Sequence, residues 1–164
     1  MGRTDDTTLR PRARGAAAER NMAALLLGGF RWFEDGLLVK LAEAGWPEIT
    51  RRHSTLFGHL DVDGTRPAEL ARRIGVSRQA IHETISELER LGLVEQVPDP
   101  AHGRAKVVVL TERGRENVAA AYRAFAELEA ELAARIGDGR VANLRDALAG
   151  DWGRPPGHAR NPRR

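Results

Sequence analysis

The sequence predicts a mainly α-helical (α+β) protein with one small β-hairpin inserted among its helices. Apolar residues recur at three- and four-residue spacing over most of the chain, and a single stretch rich in β-branched residues interrupts that pattern. With 164 residues, of which 41% are apolar and 30% charged, the chain has the size and composition of one ordinary globular domain.

The amino-terminal third predicts two helices. Apolar side chains recur every third or fourth position from about residue 16 to 44, which is the period of an amphipathic helix. Gly28 and Gly29 each weaken the middle of this helix by about 1 kcal/mol relative to alanine, which permits a kink there. Gly45 is expected to end the helix, and Pro47 suits the first turn of the next one.

Two short helices around a glycine corner, within residues 66–92, form the most informative segment. Gly75 lies at the bend, and Ala71 is the small residue expected where the two helices touch. Ser77 is placed to cap the second helix. Val76 is the first apolar residue after the corner, and the apolar residues expected to face inward are Leu70, Ile74, Ile81, Ile85 and Leu88. This is a helix-turn-helix pattern, in which the second helix is sized to enter a DNA major groove about 12 Å wide.

A hairpin and two further helices complete the chain. The run Val107–Val109 predicts a strand, and the Pro/Gly-rich residues 98–104 suit a hairpin tip, or wing. Thr111 is placed to cap a long helix, Gly137 to end it and Asp138 to cap a short last helix.

The predicted elements follow one another in a simple order. They are a disordered arm (1–14), a helix (about 16–44), a second helix (about 47–60), a turn (61–65), two short helices (67–74 and 77–91), two strands (94–97 and 105–110), a long helix (111–136), a last helix (138–148) and a disordered basic tail (151–164).

The charge is balanced outside the tail. The 26 Lys and Arg exceed the 23 Asp and Glu by three, and residues 151–164 contribute four Arg against one Asp, so the first 150 residues are neutral, 22 against 22. Net charge is therefore weak evidence for nucleic-acid binding, which depends on where individual charged side chains lie.

Several functional classes have no support in the sequence. The absence of cysteine excludes disulfide scaffolds, thiolate metal sites and a cysteine nucleophile. No catalytic Ser/His/Asp order or phosphate-cradling glycine loop occurs, so we expect neither an enzyme nor a cofactor or metal. The longest apolar run, residues 22–30, is about half a membrane span and follows acidic residues. We therefore expect a cytoplasmic protein with no membrane partner.

Four segments in and around the helix pair carry a family resemblance: Pro67–Ile81, Leu88–Val94, Asp99–Arg104 and Leu110–Gly114. Together they resemble the MarR family of bacterial transcription regulators over about residues 47–135. The resemblance implies a homodimer in which residues 15–46 and 113–150 form dimerisation helices. It implies that residues 47–112 form a winged helix-turn-helix, which binds double-stranded DNA at half of a palindromic operator. It further implies a repressor that a small aromatic or anionic effector releases from DNA.

The outward side chains of this segment are the predicted DNA contacts. Those on the second helix are expected to read or flank base edges, the wing arginine to enter the minor groove, and the arginines of the first helix to contact phosphates. The predicted base contacts on the second helix are Ser77, Arg78, Gln79, His82 and Glu83. The wing arginine is Arg104. The predicted phosphate contacts are Arg66, Arg72 and Arg73.

Three features depart from the family pattern. Position 102 is His, where a second acidic residue usually braces the wing arginine. Glu83 and Glu87 lie on or near the face expected to meet DNA, where a carboxylate opposes phosphate, although Glu83 could accept a hydrogen bond from cytosine N4. Thr84 occupies a position that is usually apolar.

Two alternatives remain open at this point. Five residues either line a pocket for the effector or simply belong to the core: Trp32, Phe33, Trp46, His53 and Phe57. The neutral charge of residues 1–150 and the two glutamates slightly favour a second function, a winged-helix protein–protein adaptor or a ligand-binding protein without specific DNA binding.

Overall fold

The computed structural model describes residues 21–100 and 102–156, without the side chains of His102 and Arg104. Its elements are α1 (Met22–Glu43), α2 (Arg51–Phe57), α3 (Pro67–Ile74), α4 (Arg78–Arg90), β1 (Val94–Asp99), β2 (His102–Leu110), α5 (Glu112–Ile136) and α6 (Asp138–Ala149). The mainly helical α+β fold with a winged helix-turn-helix is confirmed. The described residues up to Ala124 form one compact unit, and those from Phe125 onward form a second.

Helix α1 begins where a side chain caps it. The backbone of Asn21 is extended, and its side chain accepts a hydrogen bond from the Ala24 N–H at 2.9 Å. The helix then continues through both glycines in its middle. The part of the predicted helix before Asn21, like the predicted arm 1–14, lies outside the described residues.

Helix α2 is shorter than the sequence predicted. It spans Arg51–Phe57 and not 47–60, and Pro47 is not in its first turn. Thr50, the N-cap of α2, has an extended backbone, and the side chain of Ile49 immediately before it is buried. Burial of this apolar side chain outweighs the preference of proline for a first helical turn. Arg51, the first helical residue, pairs at 3.3 Å with buried Glu34 of α1.

The helix-turn-helix packs as predicted around its glycine corner. Gly75 caps α3 with φ 78° and ψ 33°, a left-handed conformation that favours glycine. Ala71 is buried where the helices meet. Four of the five predicted inward side chains are almost completely buried: Leu70, Ile81, Ile85 and Leu88. The fifth, Ile74, is half-buried, and Val76 is 42% exposed beside the corner.

The wing is longer than predicted. Strands β1 and β2 pair antiparallel from Val94↔Leu110 to Asp99↔His102, with a shift in register between Pro98 and Asp99. Most of the predicted loop 98–104 is therefore strand, since Pro98 lies at the edge of a two-stranded sheet where no ladder donor is required. Thr65, predicted as part of a turn, also pairs with Val108 through two backbone hydrogen bonds.

A close backbone approach joins the wing to α5. Thr111 caps α5 as predicted: its hydroxyl accepts from the Gly114 N–H at 3.0 Å and donates to the Gly92 carbonyl at 2.6 Å. A Cβ on Gly114 would lie 1.9 Å from the carbonyl oxygen of Leu93. Only glycine fits at this position.

The second unit holds the end of α5 and α6. Gly137, with φ 97°, is the N-cap of α6, and Asp138 lies in the first turn, which corrects the predicted cap. The beginning of the predicted disordered tail is also ordered: the Trp152 indole N–H donates to the Ala147 carbonyl at 2.8 Å, closing the end of the helix. Residues 157–164 lie outside the described residues.

Across residues 21–100 and 102–156, none of the helices has the length and apolar character needed to cross a bilayer.

Candidate nucleic-acid interface

The outer face of α4 is exposed, as the sequence predicted. The Ser77 hydroxyl caps the helix by accepting from the Ala80 N–H at 3.1 Å. Ser77 itself, Arg78, Gln79, His82 and Glu83 are all exposed. The Gln79 amide donates to Glu83 at 3.0 Å, so these two side chains form one polar pair on this face. A helix with one buried and one exposed polar face can present the latter to a major groove.

A groove runs between α3, α4 and the wing. It encloses about 460 Å³, and its lining residues are Arg66, Pro67, Ala68, Arg78, Ile81, His82, Gln96, Ala105 and Lys106. Three of these side chains are cationic at neutral pH: Arg66 at the N-cap of α3, Arg78 of α4 and Lys106 of β2. No Asp or Glu occurs among the described residues that line the groove. Such a surface attracts phosphate.

Arg66 is held by the base of the wing. Its Nε and Nη2 atoms both lie 2.6 Å from Oδ2 of Asp99, whose side chain is buried. This charge-assisted contact joins the N-terminus of α3 to the end of β1. The wing arginine predicted at position 104 and His102 have no described side chains, so their predicted roles stay predictions.

The two remaining arginines predicted to contact phosphate share a carboxylate. Arg72 lies 2.5 Å and Arg73 2.8 Å from Oε1 of Glu69, and Arg73 also pairs with Asp61 at 2.9 Å. The hydrogen bonds from Arg72 and Arg73 lower the pKa of Glu69 to about 2. Glu69 therefore stays ionised and partly neutralises both arginines at neutral pH.

Glu87 of α4 is paired with two side chains of α2. Its carboxylate lies 2.8 Å from Nε2 of His53 and receives two hydrogen bonds from Arg52, both at 3.1 Å. The hydrogen bond from His53 is the main cause that lowers the pKa of Glu87. Glu87 is therefore already paired with side chains of α2, and its predicted effect on DNA binding stays a prediction.

Thr84 fills its buried position without an unsatisfied hydroxyl. The side chain is 5% exposed, and its Oγ1 donates to the Ala80 carbonyl one turn earlier at 2.9 Å. The methyl group supplies the apolar surface that the position requires, which accounts for a polar residue at a site that is usually apolar.

The predicted pocket residues fall into different environments. Trp32 and Phe33 are half-buried on α1, with ring centroids 5.0 Å apart in an edge-to-face arrangement. Trp46 and Phe57 are also half-buried. His53 is 3% exposed, and both ring nitrogens are engaged, Nδ1 by the Thr50 N–H and Nε2 by Glu87. His53 connects α2 to α4, and the assignment of a pocket to the other four stays a prediction.

Sequence reasoning missed Lys106 and Gln96. Gln96 lies on β1 and donates to Glu89 of α4 at 3.1 Å, which links the wing to that helix. Lys106 follows the predicted wing arginine by two positions, and alternate residues of a strand share a face. This two-residue spacing is the signal that could have identified Lys106. It applies only if both residues lie in one strand, and the sequence predicted a strand that begins after Arg104, whereas β2 begins at His102.

Comparison with known proteins supports this assignment of the fold. Residues 48–105 match the model of the MarR family. Uncharacterized proteins of Mycobacterium tuberculosis and Mycobacterium bovis are each 31% identical over 80 residues, which is 49% of this chain. The chain spans 56% of the length of these curated relatives.

Solved structures share the fold at low sequence identity. MarR of Escherichia coli in its apo form is 22% identical, with a TM-score of 0.64 over 78% of this chain and 94% of that one. CouR of Rhodococcus jostii bound to p-coumaroyl-CoA is 24% identical, with a TM-score of 0.59 over 82% and 93%. The transcriptional repressor CouR bound to a 23-mer DNA duplex is 22% identical, with a TM-score of 0.61 over 82% and 94%.

Proposed function

We propose that this chain, whose residues 48–105 match the model of the MarR family, is a sequence-specific DNA-binding regulator of transcription. In this proposal it represses its targets as a homodimer on a palindromic operator. The observation that carries it is the exposed face of α4 beside a groove without acidic lining. The transcriptional repressor CouR, which has a similar fold, binds a DNA duplex, and this supports the same role for the present chain.

The proposed contacts divide by chemistry. Arg78, Gln79 and His82 provide donors suited to guanine and adenine edges in the major groove. Glu83 shares this face and can accept from cytosine. Arg66 is fixed beside the groove by Asp99 and is the best-positioned of the predicted phosphate contacts. Arg72 and Arg73 contribute less because both are paired with Glu69.

A second copy of the chain is the proposed partner of α1. Large apolar side chains remain exposed on this helix: Met22 is 67%, Phe30 60% and Val39 56% exposed. Exposed apolar surface of this kind fits a helical dimer interface. In a twofold dimer on DNA, the two copies of α4 lie about 34 Å apart, one turn of the duplex. Light scattering after size exclusion gives the mass of the assembly directly.

A small aromatic or anionic effector is the proposed regulator, and its proposed binding residues are Trp32, Phe33, Trp46 and Phe57. The support is the half-buried aromatic pair on α1 and the binding of p-coumaroyl-CoA by CouR, a protein of similar fold. Titration of p-coumaroyl-CoA against tryptophan fluorescence tests this part, with Trp152→Phe removing the exposed indole outside the proposed pocket. Unchanged fluorescence and unchanged DNA affinity at saturating probe would exclude this ligand class as the regulator.

Selection of bound duplexes from a randomised library tests the proposed function. We expect enrichment of an inverted repeat, and loss of that enrichment when Arg78 and His82 are both replaced by alanine. A folded wild-type chain that enriches no sequence would contradict the regulator proposal. That outcome would favour the adaptor or ligand-binding alternative.

A further inference from the structure

The groove between α4 and the wing lies where a DNA strand must pass. In the proposed function, α4 enters a major groove and the wing tip enters the adjacent minor groove. Adjacent major and minor grooves of a duplex are separated by one sugar-phosphate backbone. A protein surface that places one element in each groove therefore encloses that backbone between them, at the position of the groove described above.

The charges of the groove suit this occupant. Arg78 on α4 and Lys106 on β2 both line it, and neither pairs with a carboxylate in the described part of the chain. Arg66 lines the same groove but its charge is shared with Asp99. Lys106 is exposed, so its ammonium group is accessible to a polyanion without breaking an existing contact.

We infer that Lys106 is a backbone-phosphate contact that seats the DNA strand between α4 and the wing, a role that rests on the proposed function. Lysine is a compact point charge on a flexible stem, suited to phosphate and not to bidentate reading of a base. Lys106 therefore contributes to the affinity for every duplex and not to the choice of sequence, whereas Arg78 contributes to both.

The chain offers an internal control for a direct test, because it has two lysines, Lys40 on α1 and Lys106. The wild-type protein is acetylated with a limiting lysine reagent, with and without a scrambled duplex of about 24 base pairs, long enough for two half-sites one turn apart. Mass spectrometry reports each site. We expect the duplex to slow acetylation of Lys106 severalfold while leaving Lys40 unchanged. Equal rates with and without duplex at Lys106 would overturn the inference.

Substitutions give an independent measurement. Lys106→Ala is expected to weaken binding about three- to tenfold for scrambled and selected duplexes alike. It should also reduce the slope of log affinity against log salt by about one for each half of the dimer. Lys106→Arg is expected to retain affinity, and Arg90→Ala, at an exposed position on the far end of α4, controls for the loss of one charge. A change confined to the selected duplex, or no change at all, would contradict the inference.

The outcomes separate this inference from the proposed function. If the wild-type chain selects an operator but Lys106 is neither protected nor required, the inference fails and the regulator proposal stands. If Lys106 is protected by every duplex but no sequence is enriched, Lys106 contacts DNA and sequence specificity fails. Protection by excess inorganic phosphate alone, equal to that by duplex, would assign the groove to a free anion and overturn the DNA assignment.

Discussion

Nε2 of His53 on α2 lies 2.8 Å from Oε2 of Glu87 on α4, and this contact connects a buried ring to the helix proposed to read DNA. The Thr50 N–H donates to Nδ1 of the same ring at 3.1 Å. Since Nδ1 acts as an acceptor, Nε2 carries the hydrogen that Glu87 accepts. The position of α4 relative to α2 therefore depends on a carboxylate that stays ionised.

Glu87→Gln is expected to destabilise the fold at neutral pH and to reduce its acid sensitivity. The hydrogen bond from His53 lowers the pKa of Glu87 below its ordinary 4.5 in the folded protein. The stability it contributes is complete above that value and is lost as pH falls through the lowered pKa. Urea unfolding gives the free energy of unfolding of both proteins at about pH 7 and about pH 3. The difference in this free energy between variant and wild type should be smaller at the acidic pH. A gap that stays constant would mean that the pair does not stabilise the folded state.

Arg78→Ala and Arg104→Ala are each expected to weaken operator binding by about 1–3 kcal/mol, the cost of losing a direct base or groove contact. Fluorescence anisotropy with the selected duplex measures this. Arg90→Ala, at the far end of α4, removes the same charge from an exposed position and is the matched control. If neither variant changes affinity by even about threefold, these two assignments fail.

Glu69→Gln is expected to tighten binding to any duplex. Glu69 forms ion pairs with Arg72 and Arg73, and its pKa of about 2 keeps it charged under all ordinary assay conditions. Removing the carboxylate charge raises the potential at both arginines, and we expect a gain of about threefold at low salt. Glu112→Gln breaks a comparable pair with Arg115 on α5 and is the control. Unchanged affinity in Glu69→Gln would place Arg72 and Arg73 away from phosphate.

Thr84→Val is expected to leave the free energy of unfolding within about 1 kcal/mol of the wild type, because the hydroxyl and its hydrogen bond are replaced by a methyl group of the same shape. Thr84→Ala is expected to be less stable than either, since it leaves a cavity in the buried face of α4. Chemical denaturation of the three proteins measures the order. A valine variant less stable than the alanine variant would show that the hydroxyl, not the packing, stabilises this site.

Gly114→Ala is expected to destabilise the winged helix by at least about 2 kcal/mol, since the new Cβ meets rigid backbone. The carbonyl oxygen that it would approach, that of Leu93, lies only 1.9 Å from the ideal Cβ position. Gly139→Ala in α6 is the control, with nothing within 4 Å of its Cβ, and should be neutral or stabilising. Thermal unfolding that ranks the two variants equally would contradict the close approach of α5 to the wing.

Local signals predicted the helix-turn-helix well and the wing less well. Capping and corner roles depend on backbone groups only three or four residues away in the chain. The structure confirms these predicted roles for Gly75, Ser77 and Thr111. The predicted ends of α2 and the predicted length of the hairpin were wrong. Burial of Ile49 and pairing of Asp99 with His102 fixed these boundaries, and both depend on residues distant in the chain or on the partner strand.

The sequence by itself determined where the helix-turn-helix lies, which side of α4 is apolar and hence which of its side chains face outward, because those properties follow from spacing along one element. Only the tertiary structure decided how charged side chains are distributed among partners. Glu87 is neutralised by α2, Arg66 is tied to the wing through Asp99, and Lys106 lines the groove beside α4. The physical reason is range: backbone periodicity acts over one turn of a helix, whereas a charge interacts with whatever folding brings within a few ångströms of it.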